Sequence, residues 1–122
     1  MKTWYVTTEA GTAKPMTDAD EISAAVSTVR SGESEFFVVE PEPESETSFI
    51  QASTWTRGVI LGRSYVMELR VPAPEGYKHY RVRTKRFEDI ESAVSRYLAG
   101  RAPESGVWTD VTDEFVDDVT DD

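Results

Sequence analysis

The chain has 122 residues, no cysteine and a formal net charge of −10. That length favours one domain with its own core, and the missing cysteines exclude disulfide scaffolds, zinc–thiolate centres and cysteine nucleophiles. The charge is uneven: residues 1–56 carry 3 basic and 10 acidic side chains, residues 57–101 carry 10 and 5, and residues 102–122 carry 8 acidic and none basic.

Lys2–Thr8 (KTWYVTT) is rich in aromatic and β-branched residues and predicts a first strand. Gly11 and Pro15 mark a loop. Residues 17–32, TDADEISAAVSTVRSG, predict a helix: Asp18 with Glu21 approaches a capping box, Ile22, Ala25, Val26 and Val29 recur at helical spacing, and Gly32 is placed to end it in the left-handed conformation. EFFVVE at 35–40 is a short continuous apolar run and predicts a buried central strand. EPEPESE follows, with Glu40, Glu42, Glu44 and Glu46 alternating with Pro41, Pro43 and Ser45. It predicts a stiff hairpin connection, because the two prolines fix their φ and stay out of a ladder.

Ser48–Thr54, Trp55–Gly62 and Ser64–Val71 predict three more strands. In the last, Tyr65, Met67, Leu69 and Val71 share one face and Val66, Glu68 and Arg70 the other, which gives one dry and one wet side. Pro72, Pro74 and Gly76 predict a turn, and His79–Lys85 a further strand. FEDIESAVSRYLAG at 87–100 predicts a second amphipathic helix, with acid in its first turn and Arg96 and Arg101 toward its end, as the helix dipole favours. Gly100 and Pro103 stop it. Val107 and Trp108 are expected to dock on the body, Phe115, Val116 and Val119 to extend that docking, and the last residues to fray. The order predicts an α+β fold: a curved antiparallel sheet of about five to six strands with two amphipathic helices packed on one face. Residues 1–108 form the domain, and 109–122 an acidic tail, partly docked or disordered.

Signals for chemistry are weak. His79 lies among cations and aromatics, with no spacing to Ser, Asp or Glu that makes a triad, and reads as a surface strand residue. GVILG does not have the spacing of a phosphate-binding loop. DVTDEFVDDVTDD lacks the central Gly and terminal Glu of a calcium loop. No enzyme activity, cofactor or metal is therefore expected. Trp4, Tyr5, Phe36, Phe37 and Phe49 read as core, whereas Trp55 beside a predicted turn reads as core or as an exposed anchor. The N-terminus holds no stretch resembling a signal peptide, and no run approaches the roughly 20 apolar residues of a membrane span, so a cytoplasmic protein without membrane contact is expected.

The basic middle permits two readings. Arg81, Arg83 and Lys85 fall on one face of the strand over 78–86, with Tyr80, Val82 and Thr84 on the other, as in a nucleic-acid or nucleoprotein binding module. Alternatively, acid elsewhere in the chain balances this face, with the C-terminal tail as the ready counter-charge. The total of −10 favours the second and makes nucleic acid an unexpected partner.

Residues 90–111, IESAVSRYLAGRAPESGVWTDV, resemble the C-terminal part of immunity protein family one of bacterial toxin–immunity systems. The shared features are an amphipathic helix ending in Arg96-Tyr97-Leu98, a turn at Arg101-Ala102-Pro103, and Val107-Trp108 after it. The resemblance implies a non-catalytic protein that neutralises a cognate toxin of the nuclease or nucleic-acid deaminase type by occupying its basic cleft. The residues then expected to meet the toxin are Glu40, Glu42, Glu44, Glu46 and Trp55, with Asp110, Asp113, Glu114, Asp117 and Asp118 as a second acidic patch. A third reading makes the acid a solubility device on a structural or regulatory domain. Whether the acidic loop faces a partner or its own Arg81–Arg86 segment is open at this level.

Overall fold

A computed structural model describes residues 2–56, 63–103 and 107–116. The strands are β1 (Trp4–Thr8), β2 (Gly11–Met16), β3 (Phe36–Glu40), β4 (Phe49–Thr56), β5 (Arg63–Ala73), β6 (Gly76–Thr84) and β7 (Thr109–Asp110). They form one open antiparallel sheet in the order β2-β1-β3-β4-β5-β6-β7. Helices α1 (Ala19–Ser31) and α2 (Phe87–Leu98) pack on one face, and a single turn, α3 (Asp113–Val116), follows β7. The expected α+β architecture with a curved sheet is what forms, with more strands than expected.

The extra strands have clear causes. Gly11–Met16 reads as a loop because it contains Gly and Pro. It is instead the outer strand of a hairpin with β1, where Tyr5 faces Pro15 across the ladder. A proline is tolerated there because an edge strand needs only one side of its ladder. At the opposite edge β7 adds two residues to β6, pairing Tyr80 with Asp110 and Arg81 with Thr109. The strand expected over Trp55–Gly62 does not start at Trp55: Trp55 and Thr56 continue β4, and residues 57–62 lie outside the described residues. Pro72 belongs to β5 rather than to the turn, which is confined to Pro74 and Glu75 before Gly76 at φ 128°.

The core lies between the helices and one sheet face. Val6, Val39, Ile50 and Leu69 make one cross-strand row, and Phe37, Ala52 and Met67 a second, all buried. Ile22, Val26 and Val29 of α1 and Phe87, Ile90, Val94 and Tyr97 of α2 close it from above. β3 is not buried on both sides, as its continuous apolar run suggests. It alternates, with Phe37 and Val39 in the core and Phe36 and Val38 half-buried on the far face. β5 shows the expected division, with Tyr65, Met67 and Leu69 buried and Val66, Glu68 and Arg70 opposite.

Both ends of α1 follow local chemistry. Asp18 is the N-cap and its carboxylate accepts from the amide of Asp20, one residue nearer than a capping box requires. Gly32 closes the helix at φ 90°, and its amide and that of Ser34 both donate to the Thr28 carbonyl. A Cβ at that φ is strained. Gly32→Ala is expected to lower stability by about 1 kcal/mol, read from the urea midpoint with an unchanged m-value.

Candidate functional site

The sheet register brings the acidic segments to one end of the molecule. Glu40 pairs with Tyr5, Phe49 with Arg70 and Arg70 with His79, while the Val111 amide donates to the His79 carbonyl at 2.8 Å. The connection 41–48 and the segment 110–114 therefore leave the sheet at the same end, on either side of the β5–β6 hairpin. Met16 pairs with Trp4 at that end too, so the acidic start of α1 (Asp18, Asp20, Glu21) emerges beside them.

The acidic connection is fastened at its base and open at its tip. Glu40 does not present its charge to a partner: it is 7% exposed, and its Oε1 accepts from the Ser45 amide at 2.9 Å. It clips the loop to the end of β3. Glu44 holds φ 57°, a left-handed conformation that is uncommon for a residue with a Cβ and that turns the loop back on itself. The Ser48 hydroxyl lies 2.9 Å from the Tyr97 hydroxyl, tying the loop to the last turn of α2. Burial pushes the Tyr97 phenol up to about 12, so it stays neutral and hydrogen-bonded. Glu42, Glu44 and Glu46 are exposed, and among the described residues no cation pairs with their carboxylates.

The loop does not lie against Arg81–Arg86. Its tie to the basic strands runs through Arg70, whose Nη1 donates to the Glu46 carbonyl at 3.0 Å and whose Nε donates to His79 Nδ1 at 3.0 Å. The guanidinium also stacks 3.8 Å over the Tyr77 ring. His79 is not on the surface. It is 1% exposed, with the Phe49 ring edge-on at 5.7 Å and Thr112 accepting from its backbone amide. Arginine Nε–H only donates, so Nδ1 accepts and the ring proton sits on Nε2, which donates to Glu68 Oε1 at 2.6 Å. Burial lowers the His79 pKa; the bond to Glu68 works against this, and the Arg70 and Arg81 cations reinforce it. The histidine is a neutral hub with both ring nitrogens committed.

Two residues of the second acidic patch, Asp110 and Glu114, are paired with cations of the chain itself. Glu114 accepts from Arg81 Nη1 at 3.1 Å, and Arg81 Nη2 lies 3.6 Å from Glu68. Asp110 lies 3.9 Å from Lys78 and accepts from the Thr112 amide and hydroxyl, which lower its pKa, with Lys78 adding to the effect. Asp113 is exposed, and Asp117 and Asp118 lie outside the described residues. Arg83 and Lys85 are exposed, with Arg83 sharing the face of Arg81 and Lys85 just past the strand end. Trp55 pairs with Ser64 at the opposite end of β4 from the acidic loop, so the fold does not bring it to the acidic end.

Among the described residues no cluster of His, Asp or Glu is arranged to hold a metal ion, and no helix is long and apolar enough to cross a membrane. Comparison with protein-family models, with curated proteins and with solved structures finds no match to this chain.

Sequence reasoning missed Glu68 and Arg70 as members of the site. The alternation of β5 does place both on the face away from the helices. With His79 also assigned to that face by period two, the triad was within reach.

Proposed function

We propose that this chain is a non-catalytic, acidic binding protein that neutralises a protein toxin by docking in its basic, phosphate-binding cleft. A nuclease or nucleic-acid deaminase toxin carries such a cleft, because its substrate is a polyanion. The observation that carries this reading is the acidic end of the sheet, where Glu42, Glu44 and Glu46 project from a loop fastened by Glu40, Ser48 and Arg70, with Asp113 across the hairpin. A loop already ordered loses less entropy on docking than a free one. The resemblance of residues 90–111 to immunity protein family one supports the same reading. So does His79, whose committed nitrogens leave no ring atom to serve as acid or base. A protein that acts on a toxin inside its own cell is cytoplasmic.

The nucleic-acid reading has less support. Arg81 is held between Glu68 and Glu114, which leaves fewer cations on that face for phosphates.

The first check is whether the neighbouring gene encodes a nuclease- or deaminase-type toxin; where it does, that product is purified with this chain. Wild-type protein is expected to bind it and to suppress its action on nucleic acid. Replacing Glu42, Glu44 and Glu46 together by Gln is expected to slow association about 10- to 100-fold at low salt, with the difference shrinking as salt screens the charges. These side chains are exposed, so the thermal midpoint should not change. Unchanged association at low salt would remove the electrostatic basis of the proposal.

A further inference from the structure

A cavity of about 400 Å³ lies between α2 and the β5–β6 side of the sheet, on the helix-covered face. Its floor is apolar, made by Met67, Leu69 and Val82, and Ala93 of α2 forms a wall where a larger side chain would fill the space. Trp108, half-buried against the core, and Val107, 51% exposed, stand at its mouth. The volume falls at the lower end of the range of small-molecule sites.

The cations at one end make this more than a packing gap. Arg96 and Arg101 both line the cavity. Arg96 Nη2 donates to the Ala102 carbonyl at 2.8 Å, but its Nε is buried and has no hydrogen-bond partner among the described residues. That N–H has no accessible surface, so an anion in the cavity meets the charge of the Arg96 and Arg101 guanidinium groups rather than this Nε–H. The C-terminal carbonyls of α2 do not oppose an anion strongly, because those of Ser95, Arg96 and Tyr97 are already capped by the amides of Ala99, Arg101 and Gly100. Among the described residues the one acid of the lining, Asp89, lies two turns from Arg96 on α2, about 10 Å along the axis. Its carboxylate is engaged by the Thr84 hydroxyl.

We infer that this cavity is a binding site for a small amphipathic carboxylate, an aromatic or branched aliphatic acid. Its anionic head meets Arg96 and Arg101, and its apolar body lies over Met67, Leu69 and Val82 beneath Trp108. The site is separate from the acidic end and does not depend on the toxin reading.

Phenylbutyrate is a suitable probe, with phenylbutanol as its neutral counterpart, each titrated into the full chain while amide and indole shifts are followed. Saturable shifts are expected at Ala93, Arg96 and Trp108, with the acid binding about tenfold more tightly than the alcohol. Arg101→Gln changes an exposed side chain and should leave the fold intact while removing most of that preference. Ala93→Phe should abolish saturation by both probes, with circular dichroism showing that the variant is folded. Equal affinity for acid and alcohol overturns the proposal. So does a preference unchanged in both Arg101→Gln and Arg96→Gln, or a shift pattern that maps to the acidic loop instead.

Discussion

Phe37→Ala is expected to be among the most damaging single substitutions in the chain, lowering stability by about 3–5 kcal/mol. Phe37 is fully buried in β3, in the cross-strand row with Ala52 and Met67, and both helices close over that face. Truncation removes the transfer energy of the ring and leaves a cavity that the surrounding strands cannot close. Against a total of about 5–15 kcal/mol for a domain, that is a large fraction. The thermal midpoint should fall by about 10–20 °C. The informative control is its neighbour. Phe36 is half-buried on the far face, so Phe36→Ala should cost about 1 kcal/mol. If β3 were buried on both sides, as EFFVV alone suggests, the two variants would melt together. A wide separation verifies that the helices lie on one face only.

That contrast shows where the sequence was legible. The 3.6-residue period of Ile22, Val26 and Val29 and of Ile90, Val94 and Tyr97 identifies both helices, and the matching residues are buried. The two-residue period of Tyr65, Met67 and Leu69 likewise identifies the core face of β5. A period reports burial on one side, and those elements have it. β2 carries little: Gly11, Lys14 and Pro15 read as breakers, and only pairing with β1 makes Gly11–Met16 a strand. EFFVV has the opposite fault, since an unbroken apolar run hides its own alternation. The acidic loop could be placed between strands, but nothing local says that Glu40 turns back to the Ser45 amide while Glu42 and Glu44 point out. Long-range closure of the sheet decides that Arg70 and Thr112 meet at His79. A lone histidine between cations reads as a surface residue until the segment that covers it is in place.

His79 is where the second large effect is expected, and it has two readouts. His79→Ala deletes the hub and leaves Arg70 Nε–H and Glu68 Oε1 without their partner on a part-buried face. The expected loss is about 2–4 kcal/mol, because removing one member strands the others. Protection of the Val111 and His79 amides from hydrogen exchange should fall with it, since these bonds hold the C-terminal segment on β6. The titration is the sharper test. Burial keeps the folded-state pKa below the ordinary value of 6.5, with Arg70 donating into Nδ1 and Arg81 nearby, while Glu68 opposes the shift. In that interval the unfolded chain binds a proton that the folded chain refuses. Stability from this site is therefore complete above about pH 7.5 and declines as pH falls through 6.5 toward the folded-state pKa, at no more than about 1.4 kcal/mol per pH unit. Carboxylates titrate as well, so the quantity to measure is the difference in unfolding free energy between wild type and His79→Gln, which retains a polar side chain but does not titrate. That difference should shift against the wild type between about pH 7 and pH 5. A difference that is flat, or that moves toward the wild type in acid, would mean that His79 is not held neutral between Arg70 and Glu68.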